Sequence, residues 1–476
     1  MLFVSTNFLF FFLFVYIMYW LLPKKLKNYF LLAASIYFYF TWSLYFTFHL
    51  ILLIALNFYF MKLYEKFKNN IFFYTVLLIN IFNLSFYKYL YFVAEVLGNV
   101  LDLQDLQDLR IHHQDAGYEI VLPLAVSFYT FQLISYSVDI KRGIYTEKHT
   151  LPEFLLYIFF FPQLIAGPIM RSKDLLYQIK YPEQRLAISE MTVMSGLWLI
   201  LSGLIKKLFV ADSLLRFMIP FYNETPEDFY PHTIWILSAS FIMMLYADFS
   251  SYSDFARGFG YLFGYKIPIN FKAPFLMHSF TELWKRWHLT FSSWIRDYIF
   301  IPLGGNRVHE SRLYLNLLVT FLFAGLWHGA SINFAFWGFL MGLFLSIEAF
   351  LAKRGMPELP ASLKGRIFRI SIVWLVYLSS GIFFYAPTWS WAIEGLAAMT
   401  NVSSYFTGGK EIVEFPPVLL FSLAAIVVFH AIEERPEIFL PLRKYDKWIL
   451  PVLSLTVVLG ITQLPTEEKD FFYFQF

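Results

Sequence analysis

Long apolar runs separated by short polar stretches extend from the beginning of the chain to its end. A helix needs about 20 mostly apolar residues to cross the hydrocarbon core of a bilayer. By that length criterion the pattern predicts roughly twelve spanning helices. The predicted spans are residues 3–22, 29–45, 46–63, 71–93, 120–139, 191–208, 232–249, 313–327, 332–350, 367–386, 418–432 and 448–463. We therefore expect an all-α polytopic membrane protein with one membrane domain over residues 1–476.

Two segments depart from this spanning pattern. Residues 154–170 are apolar but contain Pro162, Gly167 and Pro168, which predicts a re-entrant or half-crossing element whose freed backbone groups are surrounded by protein. Residues 250–312 form the longest non-spanning stretch, rich in Arg, Lys, Trp and Gly. We expect them to form short, partly embedded interfacial helices that fold against the bundle.

The distribution of basic residues predicts the orientation of the chain, because Lys and Arg accumulate in cytoplasmic loops. Basic groups follow the first, third and fifth predicted spans and the span at 332–350, while the loops around 102–108 and 224–228 are acidic. This alternation places both termini on the extracytoplasmic side. Lys206 and Lys207 do not fit, since they lie late in a predicted span. Either the helix breaks near them or they face an aqueous interior.

Composition supports the membrane interpretation. Hydrophobic residues make up 58% of the chain and charged residues 15%, whereas soluble domains average about half and about a quarter. The first apolar run lacks a cleavage site and is too long for a signal-peptide core, so we expect it to be retained as a spanning helix. Cysteine is absent, which excludes a thiolate nucleophile and a zinc–sulfur site. The formal charge of +3 gives no indication of a nucleic-acid partner.

Two histidines are the main candidates for chemistry. His328 lies in an otherwise apolar run beside Gly325 and Gly329, and His288 lies in an aromatic, basic segment. An ionisable group at membrane depth is expensive and points to function. Imidazole titrates near neutrality, so it can take a proton from a hydroxyl group and later release it. The alternative is a structural histidine that donates to a neighbouring carbonyl.

A polar, glycine-bearing segment at 248–272 precedes the His288 region. We expect Asp248 and Asp254 to hold arginine side chains in place, and Tyr252 to line an aqueous cavity. The alternative is that these residues satisfy one another in a re-entrant turn.

A glycine pair further along is followed by Asn306 and Arg307, which resembles a phosphate-cradling turn next to cationic groups. Arg286 and Arg296 add to a basic surface there. The same pattern is compatible with an ordinary turn, and basic residues at a cytoplasmic face also follow from the general charge bias.

Several motifs resemble those of the membrane-bound O-acyltransferase family, and most of all its alginate and peptidoglycan O-acetyltransferase branch. The specific ones are "WHGA" at 327–330 and "RWHLTFSSWIRDYIFIPLGGNR" at 286–307. Supporting ones are "LPLAVSFYTFQLISYSVDIKRG" at 122–143, "FFPQLIAGPIMR" at 160–171, "YADFSSYSDFARG" at 246–258 and the closing "FFYFQF". The resemblance covers nearly the whole chain in order.

The resemblance implies a ring of helices around a central tunnel or funnel, with His328 as general base and His288 as the second polar position. It implies metal-free transfer of an acetyl group from cytoplasmic acetyl-CoA, a substrate and not a bound cofactor, to a hydroxyl acceptor outside. Trp287, Trp327 or His288 would stabilise the oxyanion. Expected partners are a cell-surface polysaccharide, as in alginate or peptidoglycan O-acetylation, and an extracytoplasmic acetyltransferase resembling SGNH hydrolases, at the bacterial inner membrane.

Two other functions stay open at this stage. The D-alanyl transferase of teichoic acid synthesis resembles the same family but takes its acyl group from a carrier protein. A transporter or channel that relays protons through buried histidines is a different class. It would predict inverted repeats in the two halves of the chain, and the sequence shows no such symmetry.

Overall fold

The computed structural model describes residues 3–356, 362–407 and 417–461, and the regular elements in these ranges are helical. The α-helices are α1 (Thr6–Leu21), α2 (Lys24–Phe40), α3 (Leu44–Phe67), α4 (Asn70–Leu101), α5 (Gln104–Gln107), α6 (Leu109–Asp115), α7 (Val126–Lys141), α8 (Leu151–Phe159), α9 (Leu176–Lys180), α10 (Glu190–Leu204), α11 (Asp212–Met218), α12 (Pro231–Leu262), α13 (Phe280–Leu283), α14 (Leu289–Ile295), α15 (Glu310–His328), α16 (Ile332–Lys353), α17 (Leu363–Tyr385), α18 (Trp389–Thr400), α19 (Ser404–Thr407), α20 (Pro417–Glu434), α21 (Pro436–Phe439) and α22 (Asp446–Ile461). The all-helical prediction is confirmed for these ranges. The closing "FFYFQF" motif lies outside the described residues.

Each predicted span overlaps one of these helices. Within the described residues, seven helical segments are long and apolar enough to cross a membrane. They are Leu44–Phe67, Asn70–Leu101, Glu190–Asn223, Pro231–Leu262, Ile332–Lys353, Leu363–Tyr385 and Pro417–Glu434. Thr6–Leu21 is apolar but shorter. A multi-pass arrangement follows from these segments, and the total of twelve spans stays a prediction.

The segment predicted to be re-entrant does break as expected. Helix α8 ends at Phe159, and the buried chain then continues without helical structure to Met170. The returning chain is held by Tyr157, whose hydroxyl donates to the Met170 carbonyl over 2.9 Å. Its freed backbone is therefore enclosed by protein, which is the condition under which irregular backbone is tolerated in a membrane protein.

The alternative of a re-entrant turn at 248–272 is wrong for its first half. Helix α12 continues without interruption to Leu262, through the serine-rich stretch. The hydroxyls of two of these serines bond within the helix or to a neighbour. Ser251 donates to the Asp248 carbonyl over 2.6 Å, and Ser253 accepts from Asn270 over 3.3 Å. The short helices predicted downstream are confirmed by α13 and α14.

The chain divides into two compact units, Met1–Leu199 with Phe255–Pro268, and Ile200–Asp254 with Ile269–Phe476. In the first unit, a pair of buried amides joins α3 to α4. The Asn57 amide donates to the Asn80 oxygen over 3.0 Å, and Asn80 returns a bond of 2.8 Å. Both side chains are fully buried. Such interhelical bonds specify the register of two apolar helices, because an amide left facing hydrocarbon would be unsatisfied.

In the second unit, α15 and α16 form a hairpin with their backbones in contact. A Cβ atom added at Gly325 would collide with the Phe334 carbonyl oxygen, and one at Gly338 would collide with the Phe321 carbonyl oxygen. At Gly342 the added atom would lie 2.9 Å from the Leu318 Cα. Small residues allow this close approach, which is a common way for helices to associate in lipid.

We expect Asn57→Leu to lower the free energy of unfolding by about 1–2 kcal/mol, because Asn80 then loses its buried partner. Adding Asn80→Leu should recover part of that loss, since no amide is left unpaired. The thermal unfolding midpoint in detergent measures both effects. Additive losses from the two substitutions would contradict a coupled pair.

Candidate active site

His328 is the last residue of α15, and a sharp turn holds it there. Gly329 adopts an extended backbone with φ −167° and ψ 150°, and Ser331 then caps α16. A Cβ atom at position 329 would collide with the ring of Phe334, so the turn accommodates glycine and no larger residue. The imidazole of His328 is consequently fixed at one end of the helical hairpin, where it is 4% exposed.

His288 is fully buried and has an unusual backbone conformation. Its φ of 45° lies in the left-handed region, which non-glycine residues adopt at a cost. Asn270 stabilises this conformation. Its carbonyl accepts from the Leu289 amide over 2.9 Å, and its side-chain oxygen accepts from the Thr290 amide and hydroxyl over 3.2 and 2.9 Å. Strain of this kind occurs frequently at functional sites.

Neither ring nitrogen of His288 has a hydrogen-bond partner among the described residues. Burial lowers the pKa of His288 well below its ordinary value of 6.5, and the nearby His328 lowers it further. The ring is therefore neutral at physiological pH. A neutral imidazole has one N–H donor and one acceptor nitrogen, both here available to a ligand.

The structure brings the two histidines together around two shared aromatic side chains. The Trp327 ring lies 5.6 Å from the His288 ring and 4.8 Å from the His328 ring, measured between centroids. The corresponding distances from Phe291 are 5.0 and 6.2 Å. Two residues that are 40 positions apart in the sequence thus contact the same pair of aromatic rings.

A small cavity of about 20 Å³ opens beside His328, which is room for about one water molecule. Its walls are mostly aromatic and belong to the second unit. The lining residues are Phe241, Ile242, Leu245, Leu283, Trp284, Trp287, His328, Trp337, Tyr377, Gly381 and Phe384. His328 is therefore accessible from an internal space, and the predicted donor-binding residue Trp287 lies at that space too.

The predicted donor-binding arginines occupy different surroundings. Arg286 donates to Glu282 over 2.9 Å and to Glu434 over 2.8 Å, so its charge is already compensated within the fold. Arg296 pairs with Asp297 at 2.8 Å, and its side chain is 61% exposed. Neither arginine belongs to the residues that line the cavity.

Asn306 and Arg307 are exposed and follow a true glycine turn. Gly304 and Gly305 have φ of 111° and 59°, values that glycine adopts without strain. Asn316 holds the turn by donating to the Gly305 carbonyl over 3.2 Å. The residues that line the cavity do not include this turn.

The acidic residues of α12 pair with Lys206 and Lys207, the two lysines that do not fit the predicted orientation of the chain. Lys206 contacts Asp254 at 2.9 Å and Glu433 at 3.3 Å. Lys207 contacts Asp248 and Asp212, each at 2.9 Å. Asp248 and Asp254 therefore pair with lysines, and not with the arginines that the sequence predicts. Tyr252, on the same helix, is buried and does not belong to the cavity wall.

The helix that carries the lysines changes its winding at this point. Residues Ile205–Ala211 form a π-helical segment between α10 and α11. The lysine side chains are 3% and 0% exposed, so they are enclosed by carboxylates and do not face bulk water. A π-helical segment is rare and frequently marks a functional region.

Asn270, Trp284 and Glu433 are site-forming residues that the sequence analysis missed. Glu433 accepts from the Ala273 amide over 2.6 Å and thereby ties α20 to the loop that precedes His288. Each acts through a contact with a distant part of the chain, so the local pattern around it contains no signal of its role.

Replacing Lys207 by Met should destabilise the protein by about 3–5 kcal/mol, because two buried carboxylates lose their counter-charge. The triple variant K207M/D212N/D248N should recover much of that loss. Lys148, which is exposed, gives a matched control, and K148M should stay within about 0.5 kcal/mol of the parent protein. Thermal unfolding in detergent measures all three. A K207M protein as stable as K148M would contradict the pairing.

Comparison with known proteins identifies similar sequences over much of the chain. The sequence profile of the membrane-bound O-acyltransferase family matches residues 145–378, which include both histidines. A probable alginate O-acetylase of Pseudomonas aeruginosa is 34% identical over 304 residues, 63% of this chain and 56% of that protein. A probable alginate O-acetylase of Azotobacter vinelandii is 32% identical over 369 residues, 75% of this chain and 70% of that protein.

A peptidoglycan O-acetyltransferase of Helicobacter pylori is 36% identical over 255 residues, 48% of either chain. A teichoic acid D-alanyltransferase of Bacillus subtilis is more distant, with 25% identity over 252 residues, 51% of this chain and 62% of that protein. The chain spans little more than half the length of the Pseudomonas aeruginosa relative. With 70% of the Azotobacter vinelandii protein matched at 32% identity, the chain belongs to the membrane-bound O-acyltransferase family.

Proposed function

We propose that this multi-pass membrane protein transfers an acetyl group from acetyl-CoA to a hydroxyl group, for the O-acetylation of a cell-surface polysaccharide. The observation that carries the proposal is the buried pair of histidines around Trp327 and Phe291, one of which lines an internal cavity. Relatives named as alginate O-acetylases and a peptidoglycan O-acetyltransferase support the reaction type.

His328 acts as the general base in this scheme. Its neutral imidazole takes the proton from the acceptor hydroxyl as the hydroxyl oxygen attacks the thioester carbonyl carbon. A carbon–oxygen bond forms, and the tetrahedral intermediate then expels the sulfur of CoA. The imidazolium returns its proton to the departing thiolate, which leaves as free CoA thiol. The scheme needs a base and an oxyanion stabiliser, and uses no metal.

His288 orients or polarises the reacting groups in the same scheme. Its ring nitrogens are buried and have no partner among the described residues, so a ligand group is free to occupy them. Its lowered pKa keeps the ring neutral. The one N–H of a neutral ring can donate to a carbonyl oxygen without introducing a full charge into an apolar site.

The names of the relatives favour a short acyl group. Relatives named as alginate O-acetylases and a peptidoglycan O-acetyltransferase support the two-carbon acetyl group as the group transferred. For the phosphates of CoA, we propose contacts with the exposed Arg296, Asn306 and Arg307. Arg286 is a poorer candidate because Glu282 and Glu434 already neutralise it.

The proposed acceptor is inferred from the names of the relatives. We propose that acetyl groups leave on the extracytoplasmic side of a bacterial inner membrane, to a polysaccharide of the alginate or peptidoglycan type. An extracytoplasmic acetyltransferase resembling SGNH hydrolases would receive the group in between. A serine hydroxyl of such a partner is chemically equivalent to a sugar hydroxyl as acceptor.

We expect His328→Ala to fold normally and to reduce acetyl transfer by about 10²–10⁴-fold, the usual contribution of a general base. The readout is the O-acetyl content of cell-surface glycans in a deletion strain complemented with each variant. His112→Ala is the matched control, because His112 is exposed and should leave acetylation unchanged. Near-normal acetylation with His328→Ala, at equal protein levels, would exclude His328 as the base.

A second measurement separates acetyl transfer from D-alanyl transfer. Purified wild-type protein with an acceptor hydroxyl should release free CoA thiol from acetyl-CoA in the absence of any acyl carrier protein. Thiol release is followed with a colorimetric thiol reagent, and the His328→Ala protein provides the background rate. Acyl transfer that depends on a carrier protein would identify the D-alanyl reaction instead.

A further inference from the structure

Trp284 lies at the cavity beside His328 with an unused hydrogen-bond donor. The residue follows α13 directly and contributes to the cavity wall. Its indole nitrogen Nε1 is buried and has no hydrogen-bond partner among the described residues. A buried donor without a partner destabilises the folded state. Such a group calls for an explanation, and a ligand that enters the cavity provides one.

The indole ring is held in a defined position by its neighbours. The Trp284 ring packs against Phe321 at a centroid distance of 4.9 Å and against Trp337 at 6.2 Å. The Trp337 ring in turn lies 5.4 Å from the His328 ring. The Trp337 ring therefore lies between Trp284 and His328 and contacts both. Both residues line the same cavity.

The backbone that carries Trp284 is also anchored. Glu348, on α16, accepts hydrogen bonds from the Phe280 amide over 2.8 Å and from the Thr281 amide over 2.9 Å. These bonds satisfy the free amides at the beginning of α13. Helix α16 therefore contacts the segment that carries Trp284. The same helix begins directly after the short turn that follows His328, so α16 holds both the proposed donor and the proposed base in place.

We propose that the indole N–H of Trp284 donates a hydrogen bond to the acyl carbonyl oxygen of the donor substrate during transfer. This assignment rests on the proposed acetyl transfer. When the hydroxyl oxygen adds to the carbonyl carbon, the carbonyl π electrons move to oxygen, which becomes negatively charged. The indole N–H stabilises that charge, and the C–S bond then breaks and returns the electrons to a carbonyl. A neutral donor suits an apolar cavity because it adds no charge that must be desolvated.

Two features distinguish this assignment from the indoles favoured by the sequence motifs. Trp327 does not belong to the residues that line the cavity, and its ring stacks on Phe291 with a centroid distance of 4.3 Å. Trp284 combines a place in the cavity wall with an indole nitrogen that lacks a partner in the described structure. The short sequence "LWKRW" contains both Trp284 and Trp287, and only their surroundings separate their roles.

Trp284→Phe keeps an aromatic ring and removes the N–H. We expect kcat for acetyl-CoA-dependent transfer to fall about 10²-fold, the usual effect of losing one oxyanion donor, with little change in KM. The smaller ring should lower the thermal unfolding midpoint modestly, because it makes fewer contacts with Phe321 and Trp337. The loss of kcat should persist at temperatures at which the variant is fully folded, whereas a purely structural role would leave kcat near the wild-type value there.

Trp448→Phe is the matched control, because Trp448 is 77% exposed on α22 and should have wild-type kcat. An infrared measurement tests the contact directly. The probe is the unreactive ketone analogue of acetyl-CoA in which a methylene group replaces the sulfur, labelled with ¹³C at its carbonyl. Its bound carbonyl stretch should have a lower frequency in the wild-type protein than in the Trp284→Phe protein.

The outcomes separate this inference from the proposed function. If wild-type protein does not transfer acetyl groups, the proposed function fails. If wild-type protein is active and Trp284→Phe retains its kcat, or shows the same carbonyl frequency, the assignment of Trp284 is overturned.

Discussion

The contact between the backbones of α15 and α16 is the constraint on which the candidate site depends. Glycines at positions 325 and 338 allow the two helices to touch, and Gly329 allows the chain to reverse within a short turn. A larger residue at any of these positions would separate the helices. Since His328 ends one helix and Trp337 lies on the other, their separation would also open the aromatic wall around the imidazole.

The backbone of the second histidine is positioned by polar contacts, whereas its ring packs on Phe249 and Phe291. His288 has a left-handed backbone conformation, which Asn270 stabilises with bonds to the next two residues. The loop between them is itself held by α20, where Glu433 accepts from Ala273 and His430 accepts from the Phe275 amide over 3.1 Å. In an apolar interior, each of these bonds is strong because water does not compete for it. They fix the geometry of a ring whose nitrogens have no hydrogen-bond partner in the described part of the chain.

Buried charge in the second unit is organised separately from the histidine site. Lys206 and Lys207 each contact two carboxylates. Three of these four carboxylates lie on α12 and α20, which are distant from the lysines in the sequence. Ion pairs of this kind contribute little net stability, but breaking one is costly because it leaves an uncompensated charge. They therefore specify which helices meet and in what register. The histidine site, by contrast, is surrounded by neutral aromatic groups, an environment that favours uncharged imidazole.

The sequence by itself determined the helical class and the approximate positions of the long apolar helices, and it singled out the two histidines as candidates. Hydropathy and motif spacing are local properties, and a bilayer imposes a nearly fixed span length on them. The tertiary structure alone decided that α12 continues through its serines and that the lysines pair with Asp248 and Asp254. It also decided that Trp284 lines the same cavity as His328, with an indole N–H that has no hydrogen-bond partner among the described residues. These features depend on residues that are distant in sequence and meet through packing. A local sequence pattern does not predict such a contact, because the energy of the contact depends on both segments together.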